Sequence, residues 1–189
     1  MKPHRRFAAP VLAVFLALAS LLPAHAADDP ALSAVANQAF VAANARKPGV
    51  ITRPNGLQYR VLQNGPGKRP GLGDTVLVNF SARLINGKLF DGTTPGLPAT
   101  LSVSGVVRGL SEALQMMHVG DHWQLVIPTE LGFGPRGAGN GIVPPNQALV
   151  FDVTLLSTSP APPSGTDQGT TLSVYSANNA PSAILTIHP

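Results

Sequence analysis

The stretch Thr75-Val76-Leu77-Val78-Asn79-Phe80-Ser81-Ala82-Arg83-Leu84-Ile85-Asn86-Gly87-Lys88-Leu89-Phe90-Asp91 decides how this chain folds. In its first ten residues Val76, Val78, Phe80, Ala82 and Leu84 share one face, and Leu77, Asn79, Ser81 and Arg83 share the other. A period of two belongs to a strand with one face against a core. Asn86-Gly87 follows at once, the dipeptide that suits the two positive φ angles of a type I′ hairpin turn. Lys88-Leu89-Phe90 is then expected to return antiparallel, which places Phe90-Asp91 at the hairpin exit.

Outward from this hairpin the pattern alternates between strands and turns. Leu57, Tyr59 and Val61 alternate with Gln58, Arg60 and Leu62, and Asn64-Gly65-Pro66-Gly67 makes a turn. His122 to Pro128 and Ala148 to Leu156 give two further strands, separated by a Gly/Pro-rich loop. The period changes only between Val107 and Met117, where Leu110, Leu114 and Met117 follow helical spacing and Gly120 is placed to end the helix. Pro30 to Arg46 reads as a short amphipathic lead-in helix with Val35, Ala39, Phe40 and Ala43 on its apolar face, stopped by Lys47-Pro48-Gly49. An α+β fold is expected, arranged as a signal segment at 1–26, the lead-in at 27–55, the main domain at 56–157 and a Ser/Pro-rich, disordered tail at 158–189.

Composition narrows the function. Nineteen Gly and 19 Pro in 189 residues favour short strands and loops over a helical bundle, and the mean hydropathy of +0.17 is enough for one modest core. Lys2, Arg5 and Arg6 precede an apolar run from Val11 to Leu22, and Pro23-Ala24-His25-Ala26 closes it with a small-x-small pattern. That layout is a secretory signal with a cut expected after Ala26, and the run is short for a spanning helix. Cleavage would remove three of the 13 Lys and Arg and none of the nine Asp and Glu, leaving ten against nine. A near-neutral chain of this kind offers no electrostatic footprint for nucleic acid or an anionic membrane. With no cysteine there is neither a disulfide framework nor a thiolate nucleophile.

Two motifs look chemical and fail on context. Gly132-Phe133-Gly134-Pro135-Arg136-Gly137 has the spacing of a dinucleotide fingerprint, but more glycines and Pro144-Pro145 follow where the phosphate-binding helix should start. His118 and His122 are four apart with the helix-ending Gly120-Asp121 between them, and no third ligand accompanies them in a helical frame. No serine sits in a nucleophile elbow. Neither a metal nor a cofactor is expected. What remains is an apolar set, Phe80, Phe90, Val106, Val107, Leu110, Phe133, Ile142, Val143 and Phe151, whose plain reading is core.

The same residues carry a resemblance. Gly87-Lys88-x-Phe90-Asp91, Val106-Val107-Arg108-Gly109-Leu110, Gly132-Phe133-Gly134, Ile142-Val143-Pro144-Pro145 and Leu149-Val150-Phe151-Asp152-Val153-x-Leu155-Leu156 resemble the FKBP-type peptidyl-prolyl cis-trans isomerases from about Leu57 to Ser157. The lead-in, with Asn37-Gln38-Ala39-Phe40 and Gly56-Leu57-Gln58-Tyr59, is similar to the exported bacterial branch that includes the macrophage infectivity potentiators. The resemblance implies a curved antiparallel sheet wrapped on one short helix, with a groove between them that accepts a proline ring. It implies catalytic positions at Asp91, Phe90, Phe133 and Phe151, and substrate contacts at Phe80, Val106, Val107, Leu110, Ile142 and Val143, with the Val107 N–H holding a substrate carbonyl.

The implied activity is isomerisation of X-Pro bonds during folding of exported proteins; the alternative is a chaperone or peptide-binding module that kept the groove without turnover. Partners would be proline-containing polypeptides and macrolide inhibitors, and the location periplasmic or secreted. The short lead-in suggests a monomer with no membrane attachment after signal cleavage. The sequence departs from the family where Phe80 replaces a usual Tyr, Leu110 a usual Trp and Phe133 a usual Tyr. The resemblance implies that a hydroxyl at position 80 would bond Asp91 and one at position 133 a substrate carbonyl, so weaker catalysis is expected.

Overall fold

The computed structural model describes residues 29–160; the expected signal segment and the residues after 160 lie outside the described residues. Among the described residues there are two α-helices, α1 (Ala34–Asn44) and α2 (Arg108–Met116). The strands are β1 (Ile51–Thr52), β2 (Gln58–Gln63), β3 (Thr75–Leu84), β4 (Leu89–Gly92), β5 (Ala99–Ser102), β6 (His122–Ile127) and β7 (Leu149–Ser159). All pair antiparallel in one sheet of order β1-β2-β6-β7-β3-β4, with β5 beside β3. This is an α+β fold.

β3 organises the sheet. β7 pairs along its whole length, from Thr75 opposite Ser159 to Leu84 opposite Leu149, so pairing runs two residues past Ser157. On its other side β5 takes the first half and β4 the second. The alternation read from the sequence appears as burial: Val76, Val78, Phe80, Ala82 and Leu84 all lie in the core. Leu110, Ala113 and Leu114 of α2, with Met117 at its end, are buried in that same cluster. The helix can approach β6 closely because residue 109 is glycine, where a Cβ would stand 2.5 Å from Ile127 Cγ2.

Two expectations are corrected. In the β3–β4 turn Gly87 alone has positive φ, at 86°, while Asn86 does not. Gly87 N–H donates to the Leu84 carbonyl and Leu84 N–H to the Lys88 carbonyl, so Ile85, Asn86 and Gly87 form a three-residue loop. This is a type I turn followed by a left-handed glycine, not type I′, because Ile85 joins the loop rather than extending β3. Second, α1 does not bury the stripe expected of it. Val35 is 75% exposed, while the helix buries Asn37 and Asn44. Amide hydrogen bonds, not an apolar face, dock this helix.

Candidate apolar groove

Phe90 owes its position to a bulge. Arg83 pairs with Leu89 and Ala82 with Asp91, so β4 uses two residues where β3 uses one, and Phe90 is the extra one. In a regular strand adjacent side chains point to opposite faces and one of the two would leave the core. Here both are buried, Phe90 at 8% exposure and Asp91 at 3%. Asp91 Oδ1 accepts the Gly92 N–H at 2.8 Å, the next N–H along the chain.

Around this bulge the expected phenylalanines come together. The Phe90 ring meets Phe151 edge-on at 6.2 Å and Phe133 edge-on at 6.4 Å, while Phe80 lies at 26° to Phe151 at 6.3 Å. Edge-to-face contacts put the positive rim of one ring on the negative face of the next, and hold the rings at fixed angles. Phe151 is the hub and is fully buried because β7 sits between β6 and β3.

Val106 and Val107 end the turn before α2, where the Val107 carbonyl accepts the N–H groups of Leu110 and Ser111. Among the described residues no hydrogen bond uses the Val107 N–H. Val106, Val107 and Leu110 belong to the same buried cluster, with Leu110 and Val107 at 1% or less. The set reaches solvent at the other end, where Phe133 is half-buried and Ile142 is 44% exposed, while its neighbour Val143 is buried. Ile142 and Val143 sit on the loop between Gly134 and Asn146, held across by the Ala138–Val143 bridge. Gly134-Pro135-Arg136 forms a short 3-10 turn there, which is not the helix a phosphate site requires.

The polar residues set aside in the sequence go elsewhere. His118 faces Asp121 and accepts from Arg69, and His122 contacts Asp152 at 2.7 Å. Among the described residues no group of three or more His, Cys, Asp or Glu is placed to hold a metal. A cleft of about 500 Å³ beside α1 is lined by Asn37, Val41, Gln58, Thr129 and Ala148, away from the phenylalanine cluster. Sequence reading named Asn37 only within the lead-in motif and did not name Gln147; the two form a buried amide pair that joins α1 to the segment just after the Ile142–Val143 loop.

An antiparallel sheet over a short helix, with a phenylalanine cluster beside a buried carboxylate, is an arrangement of the FKBP class. Residues 67–156 match the model of the FKBP-type peptidyl-prolyl cis-trans isomerase, and residues 13–61 match the domain amino terminal to it. The chain is 48% identical over 122 residues to the peptidyl-prolyl cis-trans isomerase Mip of Coxiella burnetii, covering 64% of this chain and 53% of that protein. It is 44% identical over 124 residues to the outer membrane protein MIP of Legionella longbeachae, covering 65% and 53%. A solved peptidyl-prolyl cis-trans isomerase from Pseudomonas syringae superposes with a TM-score of 0.62 at 35% identity, covering 66% of this chain and 92% of that one. FkpA of Escherichia coli superposes at 0.64 and 42% identity, covering 68% and 62%. This chain belongs to the FKBP-type peptidyl-prolyl cis-trans isomerase family. It spans about half the length of the curated relatives it matches.

Proposed function

We propose that this protein is a peptidyl-prolyl cis-trans isomerase whose groove is the phenylalanine cluster around Phe151. The observation that carries this reading is the bulge at Phe90, which brings an aromatic side chain and a carboxylate to one buried place. Rotation about a peptide bond faces a barrier of roughly 18–20 kcal/mol because amide resonance must be broken. No covalent step is needed. The twisted amide is less polar than the planar one, so a dry apolar pocket favours it over the form that water solvates well. Lowering the barrier by about 5 kcal/mol gives nearly four decades of rate.

In this mechanism Phe90, Phe133 and Phe151 enclose the prolyl ring over Leu110, with Phe80, Val106 and Val143 as walls and Ile142 at the lip. The Val107 N–H donates to a substrate carbonyl, and Asp91 acts on the charge of the rotating amide or orders the donors near it. Substrates are proline-containing polypeptides, and macrolides that mimic them are candidate inhibitors. The signal-like first residues and the outer membrane relative support an exported location; among the described residues no helix is long and apolar enough to cross a membrane.

The test is a protease-coupled or refolding assay on a proline peptide with the wild type, Asp91→Ala and Phe151→Ala. The wild type should exceed background, with both variants reduced. A wild type that binds the peptide without accelerating it would leave the chaperone or peptide-binding module standing instead.

A further inference from the structure

The loop that carries Ile142 and Val143 is closed at a neck, where Asn146 N–H donates to the Gly134 carbonyl at 2.9 Å. Asn146 has a φ of 59°, in the left-handed region that asparagine, after glycine, enters most readily. Inside the loop Gly134, Gly137, Gly139, Asn140 and Gly141 also have positive φ, and the Ala138–Val143 bridge with the bonds from Gly137 N–H to the Gly134 carbonyl and from Ile142 N–H to the Gly139 carbonyl sets its internal shape.

The neck is also anchored from outside the loop. Gln147 and Ala148, the two residues that follow, are both buried. Gln147 Nε2 donates to the carbonyls of Leu32 and Pro145, each at 3.0 Å. Asn37 Nδ2 donates to Gln147 Oε1 at 3.1 Å and to the carbonyls of Leu32 and Ser33, while Asn37 Oδ1 accepts the Ala148 N–H at 2.8 Å. Every polar atom of the two amides is therefore used, and the bonds tie the first turn of α1 to the segment between the loop and β7. A second amide pair holds the other end of α1: Asn44 donates to Gln58 on β2 at 2.8 Å, and Gln58 donates to the Val41 carbonyl. That clamp is two helical turns from the first and touches no residue of the loop.

We infer that Asn37 and Gln147 are positioning residues of the groove: α1 is a brace that fixes the neck of the 134–146 loop, and through it the lip formed by Ile142 and Val143. This rests on the proposed function for its catalytic consequence, but not for its structural one. Two clamps of the same chemistry, one beside the loop and one away from it, make a discriminating comparison available within one helix.

The experiment uses the whole chain and the variants Asn37→Ala, Gln147→Ala, their combination and Asn44→Ala. Each is taken through thermal unfolding, steady-state kinetics on a proline peptide and amide hydrogen exchange at Ala138 and Val143. Asn37→Ala and Asn44→Ala should both lower the unfolding midpoint, since each removes a buried amide pair. Only Asn37→Ala and Gln147→Ala should speed exchange at Ala138 and Val143, by about tenfold or more, and raise KM with kcat changed less than about twofold. The combination should add little to either single change, because both act through one network. Exchange and KM unchanged in Gln147→Ala, or equally altered in Asn44→Ala, would overturn the inference. If the wild type shows no turnover, the proposed function fails while exchange still decides whether α1 braces the loop.

Discussion

Phe80→Tyr asks whether Asp91 can take a phenolic partner, and the β3–β4 register makes the answer calculable. Ala82 lies opposite Asp91 and Ser81 opposite Gly92, so Phe80 and Asp91 are diagonal neighbours on one face of the pair. Such positions are roughly 7–8 Å apart along the backbone, within reach of an aromatic side chain. Phe80 is 5% exposed, so an added hydroxyl does not escape to water. Asp91 accepts the Gly92 N–H among its contacts, and a carboxylate offers about four acceptor sites in all. A hydrogen bond to a charged group is worth about 1.5–3 kcal/mol, whereas a buried hydroxyl without a partner costs about 1–3 kcal/mol. The two outcomes are thus separated by at least about 2.5 kcal/mol, on the order of 10 °C in the midpoint of a domain this size.

We expect the stabilising outcome. The hydroxyl would also hold Asp91 in one orientation beside the groove, and a gain of about 0.5–1.5 kcal/mol in the transition state would raise kcat/KM by roughly two- to tenfold. Thermal unfolding and the protease-coupled assay on the same preparations measure both. A lower midpoint with an unchanged rate would show that the hydroxyl does not reach Asp91, and would refute the diagonal geometry as the reason the position matters.

Two glycine substitutions probe the surroundings of the proposed groove. Gly109→Ala gains about 1 kcal/mol of helix propensity, but its Cβ would stand 2.5 Å from Ile127 Cγ2 and 3.3 Å from Leu131 Cβ. Overpacking of this kind costs about 1–3 kcal/mol, so chemical denaturation should show net destabilisation, and displacement of Leu110 should reduce activity with it. Gly137→Ala combines a φ of 63° with a Cβ driven into the Val143 carbonyl, so it should disrupt the Ala138–Val143 bridge. Peptide titration should then show weaker binding by about tenfold, with the midpoint lowered only modestly because the loop is peripheral to the sheet.

How much of this was legible in the sequence depended on whether a residue's environment repeats. β3 was readable because one of its faces is buried from Val76 to Leu84, which turns a spatial fact into a period of two. α2 was readable for the same reason at helical spacing. β5 was not, because Ala99–Ser102 is four residues long and becomes a strand only by pairing with the free edge of β3, a contact no local pattern encodes. α1 was read as a helix but with the wrong face inward. Hydrophobic periodicity pointed to Val35 and Phe40, and the docking is done by Asn37 and Asn44, polar residues that such a count treats as solvent-facing.

The bulge at Phe90 shows the same limit where it matters most. The pattern Leu89-Phe90-Asp91-Gly92 has no alternation to read, since the last three of its residues are buried in succession. Only the register, with two residues of β4 facing one of β3, explains how adjacent side chains can share a buried site. The family motif supplied Phe90 and Asp91 as a pair; the fold supplies the reason they are usable as one. The bulge breaks the period of two at the position where an apolar ring and a carboxylate are buried together, so the feature that blurs the local pattern is also the one that builds the proposed site.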